Sequence, residues 1–264
     1  MIEKSQQLEC DQIIFDLEDS VAPSEKDIAR ENILEFFSSR ASSSRALLSV
    51  RINDPASPFF EKDLALVKNI ESNHLFSVTL PKVNSALDLE KVHVNVAIDA
   101  QIESAQGLVN VDEIAAHPHC ASLAFGPLDF SADLGISAAT SRPEFLLYPL
   151  MKILVAARAS GKLAFDGPEV NIADANNFVA CTEYVRDMGF NGKWVIHPSQ
   201  ISPCNSIFTP SQSELDQAKE LIAKYETALA DGVGATTQGE FMIDEASRRQ
   251  ALTIIERVEA FGVR

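Results

Sequence analysis

Residues 95–129, NVAIDAQIESAQGLVNVDEIAAHPHCASLAFGPLD, hold one complete strand–helix–strand unit, and the fold is read outward from them. An apolar run at 95–102 ends on Glu103 and Ser104, apolar residues at helical spacing follow at 111–117, and a second run at 122–125 breaks at Gly126 and Pro127. Short apolar runs closed by polar or Gly/Pro turns fit buried strands, and the longer stretch between them fits a covering helix. The same rhythm continues on both sides. Strands at 12–17, 46–52, 76–80, 163–165 and 193–196 bring the total to seven, with further helices at 24–39, 59–72, 85–91, 142–160 and 173–188. Repeated strand–helix units imply a parallel α/β fold, and strands apolar on both faces suit a closed barrel with a packed interior and helices outside.

After Pro198 the rhythm changes. Pro210, Ser211 and Glu214 offer helix-start chemistry for a helix at 214–230 that ends at Gly232, and a Gly/Thr-rich connection at 232–239 leads to an amphipathic helix at 245–260. The expected organisation is therefore a barrel domain over 1–200 and a C-terminal helical extension over 201–264. On the first of these helices Leu215, Ala218, Leu221, Ile222 and Tyr225 share one face, which either packs on the barrel or serves as a lid or subunit contact. The serine-rich stretch 38–44 reads as a surface turn.

With 264 residues, 46% of them hydrophobic, the chain can bury one large core, so two equal domains are not expected. The net charge of -16 leaves no broad basic footprint for nucleic acid, and an anionic ligand needs a local cationic site. No apolar run approaches the roughly 18 residues that span a bilayer, and the first residues lack the basic and apolar regions of a secretory signal. Cys10, Cys120, Cys181 and Cys204 are widely spaced without a C-x-x-C pair, which reads as reduced, mostly buried thiols of a cytoplasmic protein rather than as a zinc site.

Catalytic groups of α/β barrels gather where strands end. Here the ends read Asp16-Leu-Glu18-Asp19, Arg51-Ile-Asn53, Pro81-Lys82, Gln101-Ile-Glu103, Gly126-Pro-Leu-Asp129, Asp166-Gly-Pro and His197-Pro. Any one of these charges alone reads as a solvated loop residue; together they point to a site. Glu103 and Asp129 close consecutive strands, and two carboxylates without His or Cys suit a hard cation such as Mg²⁺. Arg51 can clamp a substrate carboxylate or pair with Asp16 or Glu18. His197 reads as a buried, hydrogen-bonded residue shaping its turn rather than as a base.

The runs Ile14-Phe-Asp-Leu-Glu-Asp-Ser-Val21 with Lys26 and Arg30 behind it, Val50-Arg-Ile-Asn53, Leu80-Pro-Lys-Val83, Ile102-Glu-Ser-Ala-Gln-Gly107, Phe125-Gly-Pro-Leu-Asp129, Gly192-Lys-Trp-Val-Ile-His-Pro198 and Met242-Ile-Asp244 resemble the HpcH/HpaI aldolase/citrate lyase superfamily, and its citrate lyase beta subunit-like (CitE-like) branch best. The resemblance covers essentially the whole chain. It implies a TIM (β/α)8-type barrel that cleaves a β-hydroxyacyl-CoA thioester of the citryl-, malyl- or citramalyl-CoA type to acetyl-CoA and an oxoacid with Mg²⁺. By motif, Glu103 and Asp129 fall on metal ligands and Arg51 on the residue that binds the oxoacid end and steadies the enolate. Asp244 falls on the acid/base that reaches a neighbouring subunit's site, with Ala246 where the family carries Pro. Lys4, Trp194 and Val195 fall on coenzyme A contacts. Glu18 and Asp19 either orient metal-bound water or serve as capping and ion-pair groups. The resemblance further implies a homotrimer or hexamer and admits an acyl carrier protein as partner. Family members begin with a further strand and a Pro-Gly turn before the segment matching 1–8, so the barrel is expected to lack its first strand. An aldolase acting on free 2-oxo acids, and a catalytically weak subunit of a lyase complex, are the competing readings.

Overall fold

The computed structural model describes residues 2–5, 7–40, 45–70, 74–136 and 143–263. They form two compact units, Met1–Cys204 and Asn205–Arg264.

The first unit is built on seven parallel strands in sequential order: β1 (Gln12–Asp16), β2 (Leu47–Arg51), β3 (Ser77–Leu80), β4 (Ala97–Ile102), β5 (Cys120–Phe125), β6 (Leu163–Asp166) and β7 (Gly192–Lys193). Each of the seven expected strands is present, although the last is reduced to two residues. After a short helix α1 (Ile2–Ser5), the crossovers carry α2 (Lys26–Arg40), α3 (Phe60–Asn69), α4 (Ala86–Glu90), α5 (Ala105–Val109), α6 (Val111–Ala116), α7 (Pro127–Asp133), α8 (Pro143–Ala159) and α9 (Ala175–Met188), followed by α10 (Ile201–Phe208). Helices α1, α5, α7 and α10 are not in the sequence reading. α7 begins directly at Pro127, whose fixed φ suits a first helical position and which the sequence presents as a turn signal. Ser38, Ser39 and Arg40 belong to the end of α2 rather than to a turn, and the rest of that expected turn, 41–44, lies outside the described residues, as do Glu71 and Ser72 at the end of the expected helix 59–72 and Arg142 at the start of the expected helix 142–160.

One strand face is apolar as expected: Val50, Val78, Ile98, Ala100 and Ile102 are fully buried. The other face departs from a uniformly apolar interior. Successive residues of a strand point to opposite sides, and the alternate positions carry Ser49, Ser77, Thr79, Asp99, Gln101 and Ser122, all buried. Sequence hydropathy misses this because the intervening Val, Ile, Leu and Ala residues dominate each window.

A buried ionic cluster fixes the loop that leaves β1. The Lys26 ammonium donates to the carbonyls of Leu17 (2.7 Å) and Glu18 (3.0 Å) and to Asn53 Oδ1 (2.9 Å). Asn53 in turn donates its backbone N–H to Asp63 Oδ2 (2.8 Å), and Asp63 Oδ1 pairs with Arg30 (2.6 Å). Asp63 is fully buried, so its charge depends on these partners.

The second unit contains α11 (Gln212–Ala230), a hairpin of β8 (Thr236–Gln238) and β9 (Phe241–Ile243), and α12 (Glu245–Phe261). The helix-start chemistry is realised as a capping box: Ser211 Oγ accepts from the Glu214 N–H (3.2 Å) and Glu214 accepts from the Ser211 N–H (2.8 Å). Leu215, Ala218 and Tyr225 are buried and α11 packs on α12. The hairpin replaces the expected irregular connection. Its loop, Gly239 and Glu240, has Gly239 at φ 60°, the positive φ that two-residue hairpin turns demand. No helix among the described residues is long and apolar enough to cross a membrane, and all four cysteines are free thiols.

Replacing Asp63 by Ala leaves Arg30 with Asp27 as its remaining carboxylate and the buried Asn53 backbone N–H without its acceptor, and is expected to lower unfolding stability by about 3 kcal/mol, measured by urea denaturation. A loss below about 0.5 kcal/mol would show that the cluster holds nothing in place.

Candidate functional site

Because all seven strands run parallel, their carboxyl ends share one rim of the first unit. At that rim Asp16, Glu18, Arg51, Lys82 and Glu103 form one interacting set. The Arg51 guanidinium forks onto Asp16, with Nε donating to Oδ1 (2.7 Å) and Nη2 to Oδ2 (2.6 Å), and its Nη1 lies 3.4 Å from Glu18 Oε2. Of the two roles open to Arg51 in sequence, the ion pair is formed, and Nη1 is left outside the fork. Burial works against the Arg51 charge, but the hydrogen bond and charge of Asp16, then Glu18 and Glu103, raise its pKa. Burial likewise opposes ionisation of Asp16, and Arg51 outweighs it, holding that carboxyl below its ordinary value.

Lys82 has no role in the sequence reading beyond ending a strand, and the structure gives it two. Its ammonium bonds Glu18 Oε1 (2.5 Å) and approaches Asp19 Oδ2 (3.3 Å), while its backbone N–H donates to Glu103 Oε1 (2.6 Å). The backbone does so at φ 53°, the one positive φ at a non-glycine position among the described residues. No local signal marks such a position in sequence, since a lysine in the left-handed region is defined by what its two ends contact.

Glu103, 3% exposed, accepts from Lys82 N on one oxygen and from Gln101 Nε2 on the other (2.5 Å). Gly126 lies against it, and a Cβ there would sit 2.4 Å from Glu103 Oε2. Burial is the main force pushing the Glu103 carboxyl from its ordinary 4.5 up to about 8, with the charges of Asp129 and Glu18 adding to it. Asp129 stands exposed in the first turn of α7. A buried carboxyl beside other carboxylates, each of its oxygens accepting one hydrogen bond and keeping a lone pair, suits a hard divalent cation. Among the described residues no three or more His, Cys, Asp or Glu side chains form a metal-holding group. Magnesium typically takes one or two carboxylates and keeps several waters, so a magnesium site does not require such a group.

The other expected residues are more dispersed. Trp194 and Val195 follow β7, half-buried, with the Trp194 N–H on the Asp166 carbonyl (2.9 Å). Lys4 is exposed on α1. Asp244 is in the second unit, where its Oδ1 accepts from the Ser247 N–H (3.0 Å) and caps α12; these bonds hold its carboxyl below the ordinary range. Ala246 leaves that turn intact. His197 is exposed, not buried, yet it shapes the turn as expected, with Nδ1 accepting from the Ser199 N–H (3.2 Å).

A parallel α/β sheet with charged and hydrogen-bonding groups converging on its strand ends defines an enzyme of the α/β-barrel class. The chain belongs to the HpcH/HpaI aldolase/citrate lyase family, whose model matches residues 1–198, and it falls in the citrate lyase beta subunit-like branch of carbon–carbon lyases. A second model, for carbon–carbon bond lyases of the TIM-barrel fold, matches residues 164–263. An L-malyl-CoA/beta-methylmalyl-CoA lyase of Rhodobacter capsulatus is 34% identical over 98% of this chain and 91% of its own. A (3S)-malyl-CoA thioesterase of Cereibacter sphaeroides is 35% identical over 99% and 92%. CitE from Mycobacterium tuberculosis, solved with magnesium, acetoacetate and coenzyme A, superposes with a TM-score of 0.83 at 28% identity, covering 95% of this chain and 90% of that one.

The Glu103 pKa carries a pH dependence with a definite sign. Between its unfolded value of 4.5 and its folded value of about 8 the folded chain holds the extra proton, so this group's contribution to stability is full below 4.5 and drains away as pH rises to 8. A cation held by Glu103 would bind the deprotonated form and reverse the loss. Magnesium is therefore expected to raise the melting temperature more at about pH 8.5 than at about pH 6; scanning calorimetry showing equal or opposite increments would contradict it. Gly126→Ala is expected to abolish the magnesium-induced increment, because the added methyl displaces Glu103.

Proposed function

We propose that this protein is a magnesium-dependent carbon–carbon lyase that cleaves a β-hydroxyacyl-CoA thioester, of the malyl-CoA type, to acetyl-CoA and an oxoacid. The observation that carries the reading is the convergence at one rim of Arg51, forked onto Asp16, with the buried Glu103 carboxyl, whose two oxygens each accept one hydrogen bond and keep a lone pair, a site that calls for a cation. The names and high coverage of the malyl-CoA relatives support the thioester, and the CitE complex supports magnesium and coenzyme A.

Glu103 and Asp129 would hold Mg²⁺, which supplies Lewis-acid polarisation of the oxoacid oxygens. Arg51, through Nη1, receives the oxoacid end and stabilises negative charge developing toward the enolate. Breaking the bond between the carbinol carbon and the carbon next to the thioester requires removal of the hydroxyl proton and return of a proton to the acetyl carbon. Asp244 is assigned this acid/base work, reaching the site of a neighbouring subunit; the exposed Phe241 (79%) and Met242 (67%) beside it support a contact between chains. Glu18 and Asp19 steady the rim through Lys82 and orient water there. Lys4, Trp194 and Val195 take the coenzyme A moiety.

In this reading residues 1–200 are the catalytic TIM-type barrel domain, and 201–264 are an extension that serves as lid and oligomer contact in a cytoplasmic homotrimer or hexamer. The thioesterase relative favours a second reading, in which the same site hydrolyses the thioester to free coenzyme A and a hydroxyacid.

Product analysis separates the two: acetyl-CoA with an oxoacid supports the lyase, and free coenzyme A with an intact hydroxyacid supports the thioesterase. Arg51→Lys keeps the charge but loses the fork, and is expected to cut kcat/KM by about a hundredfold. Turnover persisting in EDTA at the wild-type rate would sink the metal-dependent reading.

A further inference from the structure

The interior face of β1–β5 carries a polar network that the rim chemistry does not use. Asp99, 4% exposed, accepts from Ser122 Oγ on Oδ1 (2.6 Å) and from Ser77 Oγ (2.5 Å) and Gln12 Nε2 (3.2 Å) on Oδ2. Ser77 Oγ lies 2.7 Å from Ser49 Oγ, which accepts from Gln12 Nε2 at 2.6 Å. One layer nearer the rim, two buried oxygens find no hydrogen-bond partner among the described residues: Thr79 Oγ1 and Gln101 Oε1. Thr79 is fully buried and Gln101 is 5% exposed.

These groups share one face. Ser77 and Thr79 have the same parity on β3, and Asp99, Gln101 and Glu103 the same parity at β4 and its end. The Ser77–Asp99 hydrogen bond shows that the two faces coincide, and Thr79 is the register partner of Asp99. The orphaned hydroxyl and the orphaned amide oxygen therefore border the space between the Asp99 layer and Glu103. Buried polar atoms are almost always paired, and a water needs two to four polar partners.

We propose that the barrel interior binds an ordered water between Thr79, Asp99 and Gln101, and that through it Thr79 and Asp99 act as positioning residues for the Glu103 carboxylate. The hydrogen count closes. The Thr79 hydroxyl donates to the water, and the water donates one hydrogen to Asp99 Oδ1, which has a lone pair left beside Ser122, and the other to Gln101 Oε1. The water thereby fixes which end of the Gln101 amide faces the rim. With its oxygen held from below, the amide must present Nε2 to Glu103 Oε2, as it does at 2.5 Å. A turned amide would set oxygen against oxygen and push the carboxylate away.

The effect on metal binding rests on Glu103 being the magnesium ligand proposed above, and the test keeps the two apart. A high-resolution crystal structure of the whole protein should show a water within hydrogen-bond reach of all three groups. A direct Thr79–Gln101 bond, or a cation at that point, overturns the proposal. Thr79→Val, nearly isosteric but without the hydroxyl, should lose the water and weaken magnesium binding about tenfold by calorimetric titration. Thr79→Ser should restore both, and saturating magnesium should recover most of the turnover of Thr79→Val. Where Thr79→Val does not fold, Thr79→Ala, which also lacks the hydroxyl donor, is titrated in its place, with the same weakening expected. Unchanged magnesium affinity in a variant that has lost the water overturns the positioning role. Wild-type protein that shows the water but binds no magnesium refutes the metal reading instead.

Discussion

The candidate site depends on one electrostatic balance: two cations, Arg51 and Lys82, hold apart and in place carboxylates that would otherwise repel. Arg51 satisfies Asp16 through a fork and leans on Glu18, and Lys82 closes on Glu18 and Asp19 from the other side. Glu18, 3% exposed, carries two cationic neighbours, while Glu103 is reached by a backbone N–H and an amide, has no ion pair among the described residues, and is the rim carboxyl whose pKa rises. The uneven sharing of positive charge sets where a further cation is wanted. The ionic cluster of Lys26, Arg30, Asn53 and Asp63 stands behind this balance, since it pins the carbonyls of Leu17 and Glu18 and so the direction in which Glu18 points.

Much of this arrangement is legible in the sequence. Strand identity follows from the apolar runs, and a parallel sheet then requires the residues that close those runs to meet at one rim. That reasoning suffices to bring Arg51 to Asp16 and Glu18, and to place Glu103 where the charge of Asp129 acts on it. What it cannot supply is the division of labour. Whether Arg51 is free for a ligand or engaged by Asp16 depends on side-chain geometry, and Lys82 acts partly through a backbone conformation that its residue type disfavours.

The interior is the second place where sequence and structure part. Runs such as Ala97–Ile102 look uniformly buried, and from Ile98 on they are, but burial does not tell an apolar face from a hydrogen-bonded one. Asp99 survives in the interior because serines and Gln12 satisfy it from neighbouring strands, and Gln101 because its amide N–H reaches Glu103 at the end of its own strand. Such pairing is a property of register, and one sequence read alone does not contain register.

The left-handed conformation of Lys82 makes that residue an exchange point between two kinds of requirement. Its peptide group wants a residue without a Cβ, at a cost of about 1 kcal/mol for any other, and its side chain must be a long cation to reach Glu18. No single amino acid meets both demands, so the position is held by the compromise that keeps the charge and accepts the strain. Substitution tolerance here should follow neither helix nor strand propensity, nor hydropathy, but the order in which function ranks a backbone donor against an ammonium.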